Sequence, residues 1–271
     1  MIIILNKWIQ TMKVSWSNLL VYRINFLLQV IGPLLIFLFI KVSLWSSIFA
    51  SRSSVAPIGG YDLATMLKYH LWIMISNILI FSSSSQNLAE DIRLGRISTY
   101  LIYPFSFWQF HTAQYLARQL VQMGIAFFTI FLIFVLDSLY QFEFEITVER
   151  VAMGVFMAVL GSIFWFCMNY LIGMISFWLE ETWTLTVLMQ IITYFFSGAI
   201  MPLELFPIWL QNILQYSPFP YIAFIPVKAF MGHTPDLLLS LSVLAGWTIA
   251  VIAFSAFLWK RGLNLYTAAG M

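Results

Sequence analysis

Few side chains in this sequence could do acid–base, nucleophilic or metal chemistry, and they do not converge. His70, His111 and His233 lie far apart and lack the spacing of metal ligands. Cys167 is the single cysteine, so neither an intrachain disulfide nor a cysteine-based metal site can form. The adjacent acids Glu180–Glu181 would point about 100° apart on a helix, which does not make a catalytic carboxylate pair. The chain also lacks a phosphate-binding loop, a nucleophile elbow and an H-E-x-x-H pair, so we expect no catalytic centre, no metal, and no nucleotide hydrolysis by this chain alone.

The densest mixed charge lies in the segment 86–112. Its charged residues and the glycine among them are Glu90, Asp91, Arg93, Gly95 and Arg96. Apolar residues interleave with the charges, which predicts a short amphipathic helix around Gly95 that ends at Tyr103-Pro104, because the residue before a proline disfavours helix. A simple chain reversal needs only a few residues. The segment is therefore either a solvated loop kept cytoplasmic by its charges or a contact site for another protein.

The composition indicates whether the chain is soluble or lies in a membrane. Of the 271 residues, 62% are apolar and 9% are charged, against about 45–50% and about 25% in an ordinary soluble domain. So few charges cannot cover a soluble protein of this size, and so apolar a chain is not disordered. The net charge of +2, without a basic stripe, gives no support for nucleic-acid binding. Most of the chain is therefore expected to lie in a lipid bilayer.

Six stretches have the length of about 20 mostly apolar residues that a membrane helix needs. They are residues 24–49, 64–85, 113–136, 151–179, 183–201 and 236–259. Only residues 180–182 separate the fourth stretch from the fifth, which predicts antiparallel neighbours. A modest excess of Lys and Arg on one side favours cytoplasmic termini. We therefore expect a multi-pass protein of the inner or plasma membrane with both termini in the cytoplasm.

The first segment is amphipathic and is predicted to lie flat on the membrane rather than to cross it. On a helical wheel for residues 5–20, Trp8 and Trp16 fall on the apolar face, and Lys7 and Lys13 fall on the polar face. Aromatic and basic anchors of this kind are typical of a helix in the interface of the inner leaflet. The segment is either a membrane anchor only or also a docking surface for a cytosolic partner.

The stretch 197–236 is too apolar for a free loop and too rich in proline for a span. Its prolines include Pro207, Pro218 and Pro220, and two short helices are predicted at 207–216 and 221–231. Irregular backbone at membrane depth survives only when it is buried in protein or lines a wet cavity. Residues 202–232 are therefore expected to form a re-entrant or interface-lying hairpin on the outer face. Glu204 within it either lines an exit route or simply reaches water.

Small residues at helical spacing mark a close approach in the fourth stretch. Gly154, Ala158 and Gly161 recur about one turn apart, and such residues let helices pack closely. Together these features predict an all-α polytopic membrane protein with a single transmembrane domain over residues 1–271. It would contain an N-terminal interface helix, six transmembrane helices, and the broken hairpin before the last of them.

This order of elements resembles the permease subunit of an ABC-2 type ABC transporter, and within it the subgroup called ABC-2 family transporter protein (DUF990). One stretch that carries the resemblance is EDIRLGRISTYLIYP, residues 90–104, after the second predicted span. The other is residues 197–232, which end in FPYIAFIPVKAFMG. The helix with Trp247 and the tail KRGLNLYTAAGM follow it, so the resemblance covers essentially the whole chain.

The resemblance implies a subunit of an ATP-driven exporter of hydrophobic or amphipathic cargo. Two permeases, identical or related, would form the path between them, and two separate ATPase subunits would hold ATP and Mg²⁺, so this chain would bind no cofactor itself. Residues 90–96 would be the coupling helix in a cleft of the ATPase, and the helix 5–20 would flank it. The hairpin with Glu204, Pro207, Pro218 and Pro220 would form part of an outer gate.

Three other classes of membrane protein fit the composition. An ion-driven secondary transporter would need ionisable residues near the midplane and often inverted repeats. Lys41, Lys68 and Arg118 instead lie near the ends of predicted spans, and no three-plus-three repeat is visible. A membrane-embedded enzyme would need polar residues that converge within the spans, and none do. A structural or immunity membrane protein without transport remains open on the sequence alone.

Overall fold

The computed structural model describes residues 2–21, 28, 32, 35–51, 57–81, 86–102, 106–140 and 144–265. Within these ranges the regular structure is helical, and one isolated bridge pairs Ile58 with Tyr61. Helices α1 to α11 are, in order, Ile2–Val21, Ser43–Ala50, Leu63–Ile80, Gln86–Arg93, Ile97–Ile102, Phe107–Tyr140, Val148–Met174, Trp183–Phe196, Ile208–Leu214, Phe224–Phe230 and Leu237–Leu265. A π-helix, Phe37–Val42, precedes α2. The predicted all-α fold is confirmed.

Four helices in the described ranges are long and apolar enough to cross a membrane. They are Leu63–Ile80, Phe107–Leu139, Val148–Phe177 and Leu237–Asn264. Each coincides with a stretch predicted from the sequence, because a long apolar run is a local signal that needs no tertiary information.

The other two predicted spans differ from the structure or fall partly outside it. The predicted span 183–201 is helical only over Trp183–Phe196, and a turn with Gly198 at φ +86° follows. Fourteen residues make a helix of about 21 Å, which is shorter than a bilayer core of about 30 Å. Much of the first half of the predicted span 24–49 lies outside the described residues, as does the predicted helix stop at Tyr103-Pro104. The number of six spans therefore stays a prediction.

Helix α7 forms the centre of the bundle, and it packs against α3, α10 and α11. Gly154 lies beneath the ring of Phe230, where a Cβ would collide with that ring. A Cβ on Gly161 would lie 2.9 Å from the carbonyl oxygen of Tyr221, and Ala158 between the two glycines is fully buried. The small-residue face of α7 therefore accommodates the proline-broken hairpin rather than another long helix.

The two irregular regions lie at opposite ends of the bundle. The N-terminal halves of α3 and α7 lie beside the hairpin, because Tyr69 donates a hydrogen bond to the Gly198 carbonyl and Arg150 packs on Gly232. At the far end of α7, Gly173 contacts Leu88 of α4. We call the end with residues 197–235 the hairpin end, and the end with residues 86–102 and 178–183 the charged end.

Helix α1 packs along α6. The indole nitrogen of Trp16 donates a hydrogen bond of 2.7 Å to the carbonyl oxygen of Ala117 in α6. Trp8 is half-buried, and Lys13 is exposed. The predicted amphipathic helix is thus present, and Trp16 is a contact between two helices in addition to its predicted place on the apolar face.

Removing this indole should loosen α1 from the bundle. We expect Trp16→Phe to lower the free energy of unfolding by about 1 kcal/mol, since it removes one hydrogen bond and keeps most of the apolar area. Trp16→Ala should cost more, because the ring contact is lost as well. Unfolding midpoints in one detergent measure this, with Trp209→Phe as the control because Trp209 is 64% exposed. Equal midpoints for all three variants would contradict the assignment.

Candidate functional site

The charged segment is two short helices joined by a turn at residues 94–96. Gly95 adopts φ +71°, a left-handed conformation that favours glycine. Its amide donates to the Ile92 carbonyl, and the amide of Arg96 donates to the Asp91 carbonyl, which is the hydrogen-bond pattern of a Schellman C-cap. The prediction of a single helix around Gly95 is therefore wrong in this respect, because Gly95 ends α4 and α5 begins at Ile97.

Apolar side chains fix this segment to the bundle. Leu88, Ile92 and Ile97 are each less than 5% exposed. Leu88 lies against Gly173 so closely that a Cβ at position 173 would overlap its side chain. The segment is thus a packed part of the bundle, in contrast to the solvated loop that the sequence also allowed.

Asp91 holds the two halves of the segment together. Its carboxylate accepts a hydrogen bond from the Tyr100 hydroxyl at 3.2 Å and pairs with Arg96 at 3.2 Å, and the imidazole of His111 lies 3.7 Å away. Only 13% of the Asp91 side chain is exposed. Burial, and then the charge of Asp91, raise the pKa of the Tyr100 phenol, so this donor stays protonated at neutral pH. Asp91, Gly95 and Arg96 therefore shape the segment.

The remaining predicted coupling residues face a second connection. Arg93 forms an ion pair of 2.7 Å with Glu181, which lies in the link between α7 and α8. Glu90 is about half exposed, has its carboxylate 3.6 Å from the Arg96 guanidinium, and borders the same connection. A groove of about 270 Å³ runs between the two connections and is lined by Ala89, Glu90, Arg93, Glu180, Glu181, Thr182 and Trp183.

The groove depends on a residue whose role the sequence did not reveal. The sequence marks Glu181 only as one of two adjacent acids in the link 180–182, and its partner Arg93 is 88 positions away in the chain. The available signal was a pair of acids in a three-residue link between two apolar stretches. Because the Arg93 and Glu181 side chains are 48% and 70% exposed, their pair contributes little to stability. It instead presents charge at the charged end of the bundle.

At the hairpin end, prolines divide the chain where the sequence predicts. Pro207 precedes α9, and Pro218 and Pro220 lie buried in the turn before α10. The observed helices, Ile208–Leu214 and Phe224–Phe230, are shorter than the predicted ones because each predicted range included turn residues.

Glu204, predicted either to line an exit route or to reach water, has two partners. One carboxylate oxygen accepts a hydrogen bond of 2.6 Å from the Tyr61 hydroxyl, and the other pairs with Lys228 at 2.7 Å. Burial, and then the adjacent Glu204, raise the pKa of the Tyr61 phenol, which keeps it a hydrogen-bond donor. Tyr61 and Lys228 were not predicted, since they come from distant parts of the chain.

The family described as ABC-2 family transporter protein matches residues 35–270, which is most of the chain. No individual curated protein matches the sequence. The family match confirms the resemblance to ABC-2 permeases, and the finer subgroup stays a prediction. The apolar helices agree with a place in the membrane, and the chain belongs to the ABC-2 family transporter proteins as a membrane permease of ABC-type transport.

Proposed function

We propose that this chain is the membrane-spanning subunit of an ATP-driven exporter, and that its charged end faces the cytoplasm and receives a separate ABC ATPase subunit. The observation that supports this most directly is the groove between α4 and the α7–α8 link, where Arg93 and Glu181 meet. ATPase partners are expected of ABC-type permeases in general, and this sequence offers no phosphate-binding loop of its own. ATP and Mg²⁺ would therefore be held by the partner.

The packing of the charged segment on α7 suggests how a movement at the charged end would be transmitted to the hairpin end. Leu88 fits against Gly173 at one end of α7, and Phe230 fits against Gly154 near the other. A movement of α4 would therefore be passed to α7 rather than absorbed by a loose loop. Rigid-body shifts of packed helices are a common form of such switching. The hairpin would then act as the outer gate, as the family resemblance implies.

A second permease, identical or related, would complete the path for a hydrophobic or amphipathic substrate. Helices α6 and α11 bury only 28% and 17% of their most apolar windows inside this single chain. Such faces need lipid or a partner subunit to cover them. The interface helix α1 would flank the ATPase on the cytoplasmic side, with Lys7 and Lys13 near the lipid headgroups.

The first test asks whether an ABC ATPase binds through the groove. The tagged full chain is purified from native membranes in mild detergent, and the co-purifying ATPase is identified by mass spectrometry. Glu90→Lys reverses an exposed charge beside the groove, and we expect it to reduce ATPase recovery about tenfold, equivalent to about 1.4 kcal/mol of binding.

The matched control is Glu149→Lys, which reverses an exposed acid in the first turn of α7, at the hairpin end. It should leave ATPase recovery unchanged. Absence of any ABC ATPase from the wild-type preparation would contradict the proposed function. Equal recovery with both variants would contradict the docking site.

A further inference from the structure

Three separate elements of the hairpin end meet at Glu204. Tyr61 comes from the loop before α3, Glu204 from the 3₁₀ turn Leu203–Leu205, and Lys228 from α10. Besides their contacts with Glu204, Lys228 and Tyr61 contact each other, with the ammonium nitrogen 3.2 Å from the phenol oxygen. The three side chains thus form a closed triangle in which each carboxylate oxygen of Glu204 has a different partner.

The triangle is more protected from water than an ordinary surface ion pair. The side chains of Lys228 and Glu204 are 17% and 36% exposed. The Lys228 ammonium also lies 5.4 Å from the centre of the Tyr61 ring and 5.8 Å from that of Phe224, within reach of cation–π attraction. Removal of either charge would leave the other partly buried without its partner, which is more costly than the loss of an exposed pair.

Two of the three elements are fixed to the bundle. Phe230 on the helix of Lys228 is 1% exposed and stacks on Trp72 of α3 with ring centres 4.6 Å apart. Tyr61 itself is 5% exposed and packs edge-on against Tyr69 of α3. These anchors keep both partners of Glu204 in place.

The third element leads into a segment with few anchors, residues 203–216, which we call the outer limb. The outward side chains of its helix α9, Ile208, Trp209 and Ile213, are 75%, 64% and 62% exposed. The Gln211 amide donates to the Phe206 carbonyl, so the limb is braced internally. At its far end, Trp247 donates to the Tyr216 carbonyl. Tyr221 also donates a hydrogen bond of 2.7 Å to the Gln215 carbonyl, and Leu214 is 5% exposed. The limb is therefore tied at Glu204 and, at its far end, around residues 214–216.

Apolar contacts seat the limb at the same place as the triangle. Leu203 is 5% exposed, and the Leu205 side chain lies where a Cβ on Gly59 would be. Gly59 has φ +58°, so the loop that presents Tyr61 needs glycine for its backbone and for this contact. The charged tie and the apolar seat would separate together if the limb moved.

We propose that Tyr61, Glu204 and Lys228 form a latch that holds the outer limb against the bundle, and that the latch opens when the hairpin end opens. The role of the latch in transport rests on the proposed function. The latch itself is a property of this chain and is tested without an ATPase. Opening would turn the limb about its tie at Tyr216 and would uncover the seat of Leu203 and Leu205.

The test measures the position of the limb by the distance between two spin labels. The labels are placed at Ile208→Cys on the limb and at Val148→Cys at the start of α7, both strongly exposed positions, in a Cys167→Ser background. The full chain is studied in lipid nanodiscs. With the latch intact we expect one dominant distance, and with Glu204→Gln a second, longer distance in about a third or more of the molecules.

Lys228→Met should produce the same second distance, whereas Lys228→Arg should keep the single one because it keeps the charge. The matched control is Asp62→Asn, which neutralises the acid next to Tyr61 and keeps the N-cap of α3. We expect it to behave as the intact latch. A single, unchanged distance in both Glu204→Gln and Lys228→Met would overturn the latch.

A salt series on the chain with an unmodified latch needs no variant that could misfold. Raising the ionic strength from about 0.01 M to about 1 M shortens the screening length from about 30 Å to about 3 Å. Because the ion pair is partly exposed, we expect the longer distance to grow with salt, and no growth would count against the latch. Failure to recover an ATPase in the first test would leave these distances unaffected, so the two proposals can fail separately.

Discussion

Gly154→Leu should destabilise the bundle by about 1–3 kcal/mol, as overpacking of a filled core does. The ring of Phe230 occupies the space that any side chain at position 154 would need. That ring is 1% exposed and stacks on Trp72, so a displaced ring would lose this contact. We therefore expect α10 to be lifted from α7 and the unfolding midpoint to fall.

The control for this substitution is Gly246→Leu in α11. Apart from its chain neighbours and the backbone of its own helix, no atom of the described residues lies within 4 Å of a Cβ built at Gly246, and the residue is exposed. It gains the same helix propensity, about 0.8–1 kcal/mol, without a clash. Thermal unfolding followed by circular dichroism in one detergent compares the two variants. If they shift the midpoint equally and in the same direction, the close packing of α7 on the hairpin is not what stabilises this end.

The long helices could be predicted because their signal is local. Helices α6, α7 and α11 each carry more than 20 apolar-rich residues in succession, and the sequence reveals such a run without any partner. The end of α8 was missed for the same reason. Residues 199–201 continue the apolar run of α8, but the chain turns at Gly198, which has a left-handed φ and lies against Tyr69 and Phe224.

The partners of the site residues could not be predicted, because they join distant parts of the chain. Arg93 and Glu90 were identified as charges that could bind another protein, but Glu181 is brought to them only by the packing of Leu88 on α7. In the same way, Glu204 was identified as unusual, and its partners are Tyr61, 143 residues before it, and Lys228 in α10, beyond the intervening helix α9. A single sequence shows which charged residues lie in an apolar stretch. It does not show which residues they contact.

The small residues of α7 illustrate the same limit in the core. Their spacing predicts a close approach on one helical face, and Gly154 and Gly161 do lie against other backbone or rings. The spacing does not say which element approaches. The elements that approach are the turn with Tyr221 and the short helix α10 after it, which agrees with the hairpin's need to bury its backbone at one end of the bundle.

Arg93→Glu should impair ATP hydrolysis by the assembled transporter about tenfold or more while leaving this chain folded. The change places a fourth acid beside Glu90, Glu180 and Glu181, and so reverses the charge pattern that the partner would meet in the groove. Both members of the Arg93–Glu181 pair are about half exposed or more, so its loss should change the unfolding midpoint only slightly. This difference separates a docking role from a folding role.

The double variant Arg93→Glu with Glu181→Arg restores an ion pair in the opposite direction. If the pair matters only because it joins α4 to the α7–α8 link, the double variant should recover full ATP hydrolysis. If the ATPase contacts each charge separately, hydrolysis should stay low although the ion pair is restored. We expect the second result, because Glu90 and Glu180 keep their charges and the partner must still match them. If Arg93→Glu instead lowers the unfolding midpoint markedly as well as the rate of ATP hydrolysis, the pair is structural.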